Sequence, residues 1–247
     1  MEERRHPAIS LIVPAFNEAR YLPQMLASVH RARSGYRRGY HAVEVIVADN
    51  GSTDATADIA REHGCRLVRV GRRSIAAARN GGAQAARADW LAFVDADSLI
   101  HEETFDAIDD ALSCDDVAIG ATGVRMSRLS AGIRATTLAI GTVNRLRGID
   151  TGVVFCRRGD WAAVGGYDEA RLFAEDLAFM LAVKRIGRAR GRRFTRPTGV
   201  AAVTSSRKYD RHGDWHVMTT LVKSCGWWLV DRNAIDRFAR RYWYGDR

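Results

Sequence analysis

Three runs at residues 9–13, 43–48 and 90–94, apolar except for Ser10 and Glu44, each stop at a polar cluster, and the segments between them carry helical spacing. A run with no polar face is a strand buried on both sides, which places it inside a parallel sheet covered by helices. Between the first two runs Tyr21, Leu22, Met25, Leu26 and Val29 share one helical face, with Asn17 as the expected N-cap and Gly35 past the end. The β-α-β unit recurs as a helix over 54–63 closed by Gly64, a strand over 66–70, a helix over 74–88 and the strand over 90–94. Such alternation predicts an open, mostly parallel sheet whose ligands gather at the carboxyl ends of the strands. Loops beginning at Pro14, Asp49, Gly71 and Asp95 should line one crevice.

Beyond residue 97 the alternation fades. A helix is expected over 102–112, a strand over 117–124, a helical segment over 129–147 and a strand over 152–156. Arg158 opens a short helix ending at Gly165-Gly166, and Leu177, Met180, Leu181 and Val183 mark another after Glu175-Asp176. Short strands over 191–194 and 200–204 precede a final helix marked by Trp215, Met218, Leu221, Val222, Cys225, Trp228 and Leu229. Without linker or repeat, the 247 residues read as one domain: a nucleotide-binding half (9–97), an acceptor half (98–206) and a C-terminal loop and helical tail (207–247). At 47% hydrophobic and 27% charged, the chain can bury a large core, which argues against disorder. Cys65, Cys114, Cys156 and Cys225 are too scattered for a zinc cage or a disulfide scaffold, so a reducing cytoplasm is the default. No run approaches the roughly 18 to 20 apolar residues of a membrane span, so the protein is expected to be soluble, or peripheral at the inner face of the membrane.

Asp95-Ala96-Asp97 closes the third apolar run, so two carboxylates should emerge together from a strand edge. Hard cations such as Mn²⁺ or Mg²⁺ take oxygen ligands and leave positions open for substrate phosphates. The competing reading is a pair of acids capping the next helix.

The order Val13-Pro14-Ala15-Phe16-Asn17-Glu18, Asp49-Asn50-Gly51-Ser52-Thr53-Asp54, Ala78-Arg79-Asn80-Gly81-Gly82, Asp95-Ala96-Asp97, Gly165-Gly166-Tyr167-Asp168-Glu169 and Glu175-Asp176 resembles the family 2 glycosyltransferases. The resemblance spans roughly residues 9 to 187, and the tail from Thr204 to Gly213 is similar to a short bacterial branch. It implies a three-layer, Rossmann-like α/β fold of the A-type glycosyltransferases, with a mostly parallel central sheet and a C-terminal helical extension. It also implies a nucleotide-sugar donor, a UDP-sugar first and GDP-mannose second, and a hydroxyl acceptor that is lipid, saccharide, peptide or small metabolite. On that resemblance Pro14, Ala15, Phe16 and Ala96 line the donor, and Glu18 and Asp49 accept hydrogen bonds from base and ribose. Ser52, Thr53 and Asp54 either touch ligand or only cap a helix. Arg79 reaches base or phosphate, and Gly81-Gly82 permit close approach of the nucleotide or a helix, at about 1 kcal/mol each relative to Ala.

The resemblance makes Asp97 the direct metal ligand, with Asp95 facing the ribose or bound through water. His212 becomes the third ligand, with His216 its competitor. Arg207 and Lys208 would close over the phosphates as a loop. Glu175 and Asp176 open a helix beneath the sugar site; family analogy makes Asp176 the general base and leaves Glu175 to sugar hydroxyls or acceptor. Trp161 either stacks on a sugar or belongs to the core. With one base and no second nucleophile, transfer should invert the anomeric centre.

Two rivals remain. A nucleotidyltransferase would carry a Gly-rich loop after the first strand, where Pro14-Ala15-Phe16-Asn17-Glu18 is acidic and without glycine. A non-catalytic binder of nucleic acid or membrane surfaces rests on the net charge of +9 and the tail Arg237-Phe238-Ala239-Arg240-Arg241-Tyr242-Trp243-Tyr244. That tail equally suits an enzyme held near a lipid-linked acceptor, for which no nucleic-acid partner is expected.

Overall fold

The computed structural model describes residues 6–171 and 174–219. Strand β1 (Ile9–Ala15) leads into helix α1 (Leu22–Gly35), and β2 (Val43–Asp49) returns parallel to β1, Ala15 opposite Asp49. Helix α2 (Thr56–Glu62), β3 (Arg66–Arg69), α3 (Ile75–Ala85) and β4 (Trp90–Phe93) complete the first half in the order the sequence predicts, the strands one residue shorter and the helices three and four. Period-two alternation is written into the packing: Ile9, Leu11 and Val13 enter one apolar cluster, Ile12 the other. The first cluster takes Leu22, Met25 and Val29 of α1, and the second takes Ala76 and Ala83 of α3. Helices on both faces of one sheet make the expected three layers.

The second half continues with β5 (Ser98–Leu99), α4 (Thr104–Ser113), β6 (Val117–Ala121), β7 (Val124–Met126), α5 (Ala131–Arg147), β8 (Val154–Arg157) and α6 (Arg158–Ala163). Helix α7 (Glu175–Ala189), β9 (Arg193–Thr195), β10 (Ala202–Thr204) and α8 (Arg207–His212) follow. Among the described residues seven strands form the main sheet, ordered β3-β2-β1-β4-β8-β6-β9, with β8 antiparallel to both neighbours. Strands β5, β10 and β7 form a small second sheet.

Four expectations are corrected. Asn17 does not cap α1. It sits in the left-handed region (φ 53), which asparagine tolerates, and the Glu18 carbonyl receives the Tyr21 and Leu22 amides at 2.9 Å. Gly35 is the last residue of α1 rather than beyond it. The strand expected over 117–124 breaks in two because Gly123 takes φ +83 where Gly152 crosses its carbonyl too closely for any side chain, sending β7 to the second sheet. The segment from Arg207, expected as a loop, is the short helix α8. The final helix from residue 220 onward and the basic aromatic tail lie outside the described residues. No described helix is long and apolar enough to cross a membrane.

Candidate active site

The loops after β1 and β2 are laced together. The Asn17 amide donates to Ser52 Oγ at 3.0 Å, the Thr53 amide to Asn17 Oδ1 at 2.8 Å, the Glu18 amide to Thr56 Oγ1 at 2.8 Å and the Ala19 amide to Asp54 Oδ2 at 3.1 Å. Ser52, Thr53 and Asp54 thus do structural work here, shaping a crevice rim from two strand ends. Asp49 is buried at the end of β2 and accepts the Ser52 amide at 2.9 Å. Pro14 and Phe16 are half-buried beside buried Ala15, and the Arg73 guanidinium lies 4.1 Å from the centre of the Phe16 ring.

Across the rim, β4 ends in Asp95-Ala96-Asp97. Ala96 turns into the first core and Asp95 projects outward. Asp97 holds Arg207 Nε at 3.0 Å, and the same guanidinium makes a bidentate pair with Glu18 through Nη1 (2.6 Å) and Nη2 (2.8 Å), over the Tyr21 ring at 4.8 Å. Glu18, from the first strand's loop, and Asp97 are therefore brought to one point by a residue 189 positions from Glu18. Burial pushes the Asp97 carboxyl above its ordinary range, Arg207 works against this, and the Asp95 and Glu18 charges add to it.

Arg79 joins this rim to the start of α7. Buried on α3, it donates to Asp95 Oδ1 at 2.9 Å and to Glu175 Oε1 at 2.9 Å, and lies 5.2 Å from the Tyr167 ring centre. Burial opposes its charge, but Asp95, Glu175 and Asp176 overturn that and hold its pKa above the ordinary value. Glu175 is likewise raised, by burial first and by Asp176, with Arg79 pulling it down. Asp176 is half-buried beside it, its Oδ1 accepting the Leu177 amide at 2.7 Å. Both carboxylates open α7 behind Ala174, a non-glycine residue in the left-handed region at φ 54. Such a conformation costs about 1 to 3 kcal/mol and persists only where surrounding structure enforces it.

The glycines of α3 have a packing role. A Cβ at Gly82 would lie 2.5 Å from Ile12 Cγ2 and one at Gly81 2.7 Å from Val70 Cγ2, so they seat α3 against the sheet. Asn80 next to them receives the Tyr167 amide at 2.8 Å and donates to the Tyr167 carbonyl at 2.9 Å and to Glu169 at 3.0 Å. The Gly165–Glu169 stretch is thus clamped to α3, with Tyr167 stacked on Phe179 at 4.1 Å. Sequence reasoning named that stretch but not its clamp, nor Tyr21 under Arg207. Trp161 packs against the second core, its Nε1 shielded and without a hydrogen-bond partner among the described residues. No group of three His, Cys, Asp or Glu stands at metal-ligand spacing among the described residues, so His212 is not gathered with Asp95 and Asp97; its ring lies 5.4 Å from that of His216.

Replacing Arg79 by methionine is expected to destabilise the fold by about 3 kcal/mol near pH 8, the lower end of the cost of orphaning a buried pair. The exposed Asp95 can be rehydrated, whereas the Glu175 side chain, 13% exposed, cannot. Without the guanidinium the Glu175 pKa rises further above the ordinary 4.5. The folded state then holds its proton longer than the unfolded chain, so stability falls as pH rises through that window. Urea melts should show a small loss near pH 5 and a large one near pH 8; an equal loss at both would refute this account.

The sequence profile described as glycosyl transferase family 2 matches residues 10–157, more than half of the chain. The chain belongs to this family. Membership sets aside both the nucleotidyltransferase and the non-catalytic binder. Validoxylamine A glucosyltransferase of Streptomyces hygroscopicus subsp. jinggangensis is 38% identical over 96 residues, 36% of this chain and 22% of that protein. The family 2 chain thus matches only about a fifth of that relative's length. Among solved structures, a mannosyltransferase from Pyrobaculum calidifontis in complex with GDP-Man and Mn²⁺ aligns over 80% of this chain and 56% of its own, at 21% identity and a TM-score of 0.63. Glucosyl-3-phosphoglycerate synthase from Mycobacterium tuberculosis, in complex with Mn²⁺, UDP and glucosyl-3-phosphoglycerate, covers 89% and 80% at 21% identity and a TM-score of 0.59. At such identities the likeness establishes the fold, that of the A-type glycosyltransferases.

Proposed function

We propose that this family 2 chain is a metal-dependent, inverting glycosyltransferase that moves a sugar from a nucleotide diphosphate donor, a UDP-sugar first, to an acceptor hydroxyl. The observation that carries the reading is the convergence of Glu18, Asp49, Asp95 and Asp97 on one rim, linked through Arg79 to Glu175 and Asp176. Glu18 and Asp49 suit the hydroxyls and N–H groups of a nucleoside. GDP-mannose is the second donor, and the two structural neighbours named above carry GDP-Man and UDP.

Asp97 and Asp95 are a hard-oxygen pair suited to Mn²⁺ or Mg²⁺; burial first, and then the neighbouring Asp95 and Glu18 charges, hold the Asp97 carboxyl above its ordinary range against the pull of Arg207. Asp97 and Asp95 would hold such an ion. When bound, the ion supplies Lewis-acid stabilisation of the departing diphosphate. Arg79 and Arg207 add fixed positive charge around the same group.

Asp176 takes the acceptor proton. Glu175 is neutralised by Arg79, whereas Asp176 has no ion-pair partner among the described residues. As the acceptor oxygen bonds to C1 of the sugar, the bond from C1 to the diphosphate oxygen breaks, and the proton passes to the Asp176 carboxylate. One base and one in-line displacement give inversion.

Incubating the protein with UDP- and GDP-sugars and Mn²⁺, and measuring nucleotide diphosphate release, should identify one donor. Chelation with EDTA should reduce that release at least about a hundredfold. Undiminished release in EDTA would remove the metal from the scheme, and no release from any donor would remove glycosyl transfer.

A further inference from the structure

The outer side of α7 carries a feature that donor chemistry does not use. Its inner residues Phe179, Met180 and Val183 pack into the second core. Leu177, Ala178, Leu181 and Arg185 follow one another along the helix and line an open groove of about 400 Å³, to which Arg147 and Arg171 also contribute; Leu177 and Leu181 are half-buried, resting on the second core along one side. The groove is therefore an apolar floor edged by three guanidinia. Arg171 is shared with Asp168 at 3.2 Å. Among the described residues the Arg147 and Arg185 guanidinia have no carboxylate partner.

Position ties the groove to the chemistry. Glu175 and Asp176 stand at the head of the helix whose next two turns form the floor, and at a rise of 1.5 Å per residue Arg185 lies about 13 Å beyond Asp176. Arg147 ends α5, whose outer surface exposes Leu138 (67%), Val143 and Leu146 (84%) beside Arg134 and Arg145. Apolar and cationic side chains interleaved on one exposed helix suit an anionic amphiphile.

We infer that this groove is the acceptor subsite and that it takes an amphiphile carrying a phosphate or pyrophosphate, as in a lipid-linked saccharide. Guanidinia bind phosphate through paired N–H donors, and Leu177 and Leu181 accept the apolar segment. A small anion has no use for the floor, and a neutral glycoside has no use for three cations. The role as acceptor site rests on the glycosyl-transfer reading; the ligand chemistry does not.

Octyl phosphate, inorganic phosphate and octyl glucoside, each below any micelle-forming concentration and without donor, can be titrated into the full chain by calorimetry. Octyl phosphate should bind at least about tenfold tighter than either fragment, since it alone engages both parts of the groove. Arg185→Glu, at an exposed position, should weaken octyl phosphate and inorganic phosphate by about tenfold or more. Leu181→Ser, which removes apolar surface without adding charge, should weaken octyl phosphate alone, with melting temperature as the check that each variant folds. Equal affinity for the three probes, or wild-type affinity in Arg185→Glu, overturns the inference. Octyl phosphate binding in a protein that turns over no donor would sink glycosyl transfer and leave the groove. Donor turnover without octyl phosphate binding would sink the groove alone.

Discussion

Asp97→Ala should lower nucleotide diphosphate release on the order of a thousandfold, the scale of several kcal/mol of lost charge stabilisation on the leaving group. The same substitution should leave the metal-free protein as stable as the wild type, or more so, at neutral pH. Burial and the neighbouring carboxylates hold the Asp97 pKa above its ordinary value. A carboxyl raised in this way keeps its proton longer in the folded state, so wild-type stability falls as pH rises through the window above about 3.8. Deleting the group removes that loss, while Arg207 retains Glu18. A variant that lost turnover by unfolding, seen as a lowered melting temperature, would contradict this account, as would one that kept its turnover.

Asp176→Asn should lower sugar transfer by about 10²- to 10⁴-fold, the range for removing a positioned general base. Asparagine keeps the shape of the side chain and its amide contact to Leu177 but cannot take a proton. Glu175→Gln makes the discriminating comparison, because Glu175 is bound to Arg79 at 2.9 Å and its loss disturbs the link to Asp95. We expect Glu175→Gln to raise the donor KM and lower stability, with a smaller effect on kcat. If the amide at 175 stopped transfer and the amide at 176 did not, the two roles would be exchanged.

The three strands at the heart of the sheet were legible because a strand buried on both faces is apolar at nearly every position, as Ile9, Ile12, Val45 and Leu91 are; the exceptions, Ser10 and Glu44, are buried and paired with each other at 2.6 Å. The rim was legible for the same reason, since polar residues appear where burial stops. What stayed hidden was settled by contacts distant in sequence. Arg207 finds Glu18 across 189 positions, which no local pattern encodes. The break at Gly123 depends on Gly152 crossing it, and the purpose of Gly81 and Gly82 lies in Val70 and Ile12 beneath them. Asn17 looked like a cap because its residue type favours caps, yet the same short amide also tolerates the left-handed backbone that the β1 loop demands. Asp176 was chosen by analogy; the ion pair that neutralises Glu175 supplies an independent physical reason for the choice.

The guanidinium of Arg207, forked onto Glu18 and leaning on Asp97, makes the cleft its own electrolyte. Any nucleoside that claims Glu18, or any dication that claims Asp97, enters by exchange and not by filling a void. The affinity measured for such a guest is thus a difference between two sets of ionic contacts, smaller than either and sensitive to dissolved salt. What the exchange would release is a guanidinium on the first turn of a short helix, free to meet the diphosphate of the proposed donor.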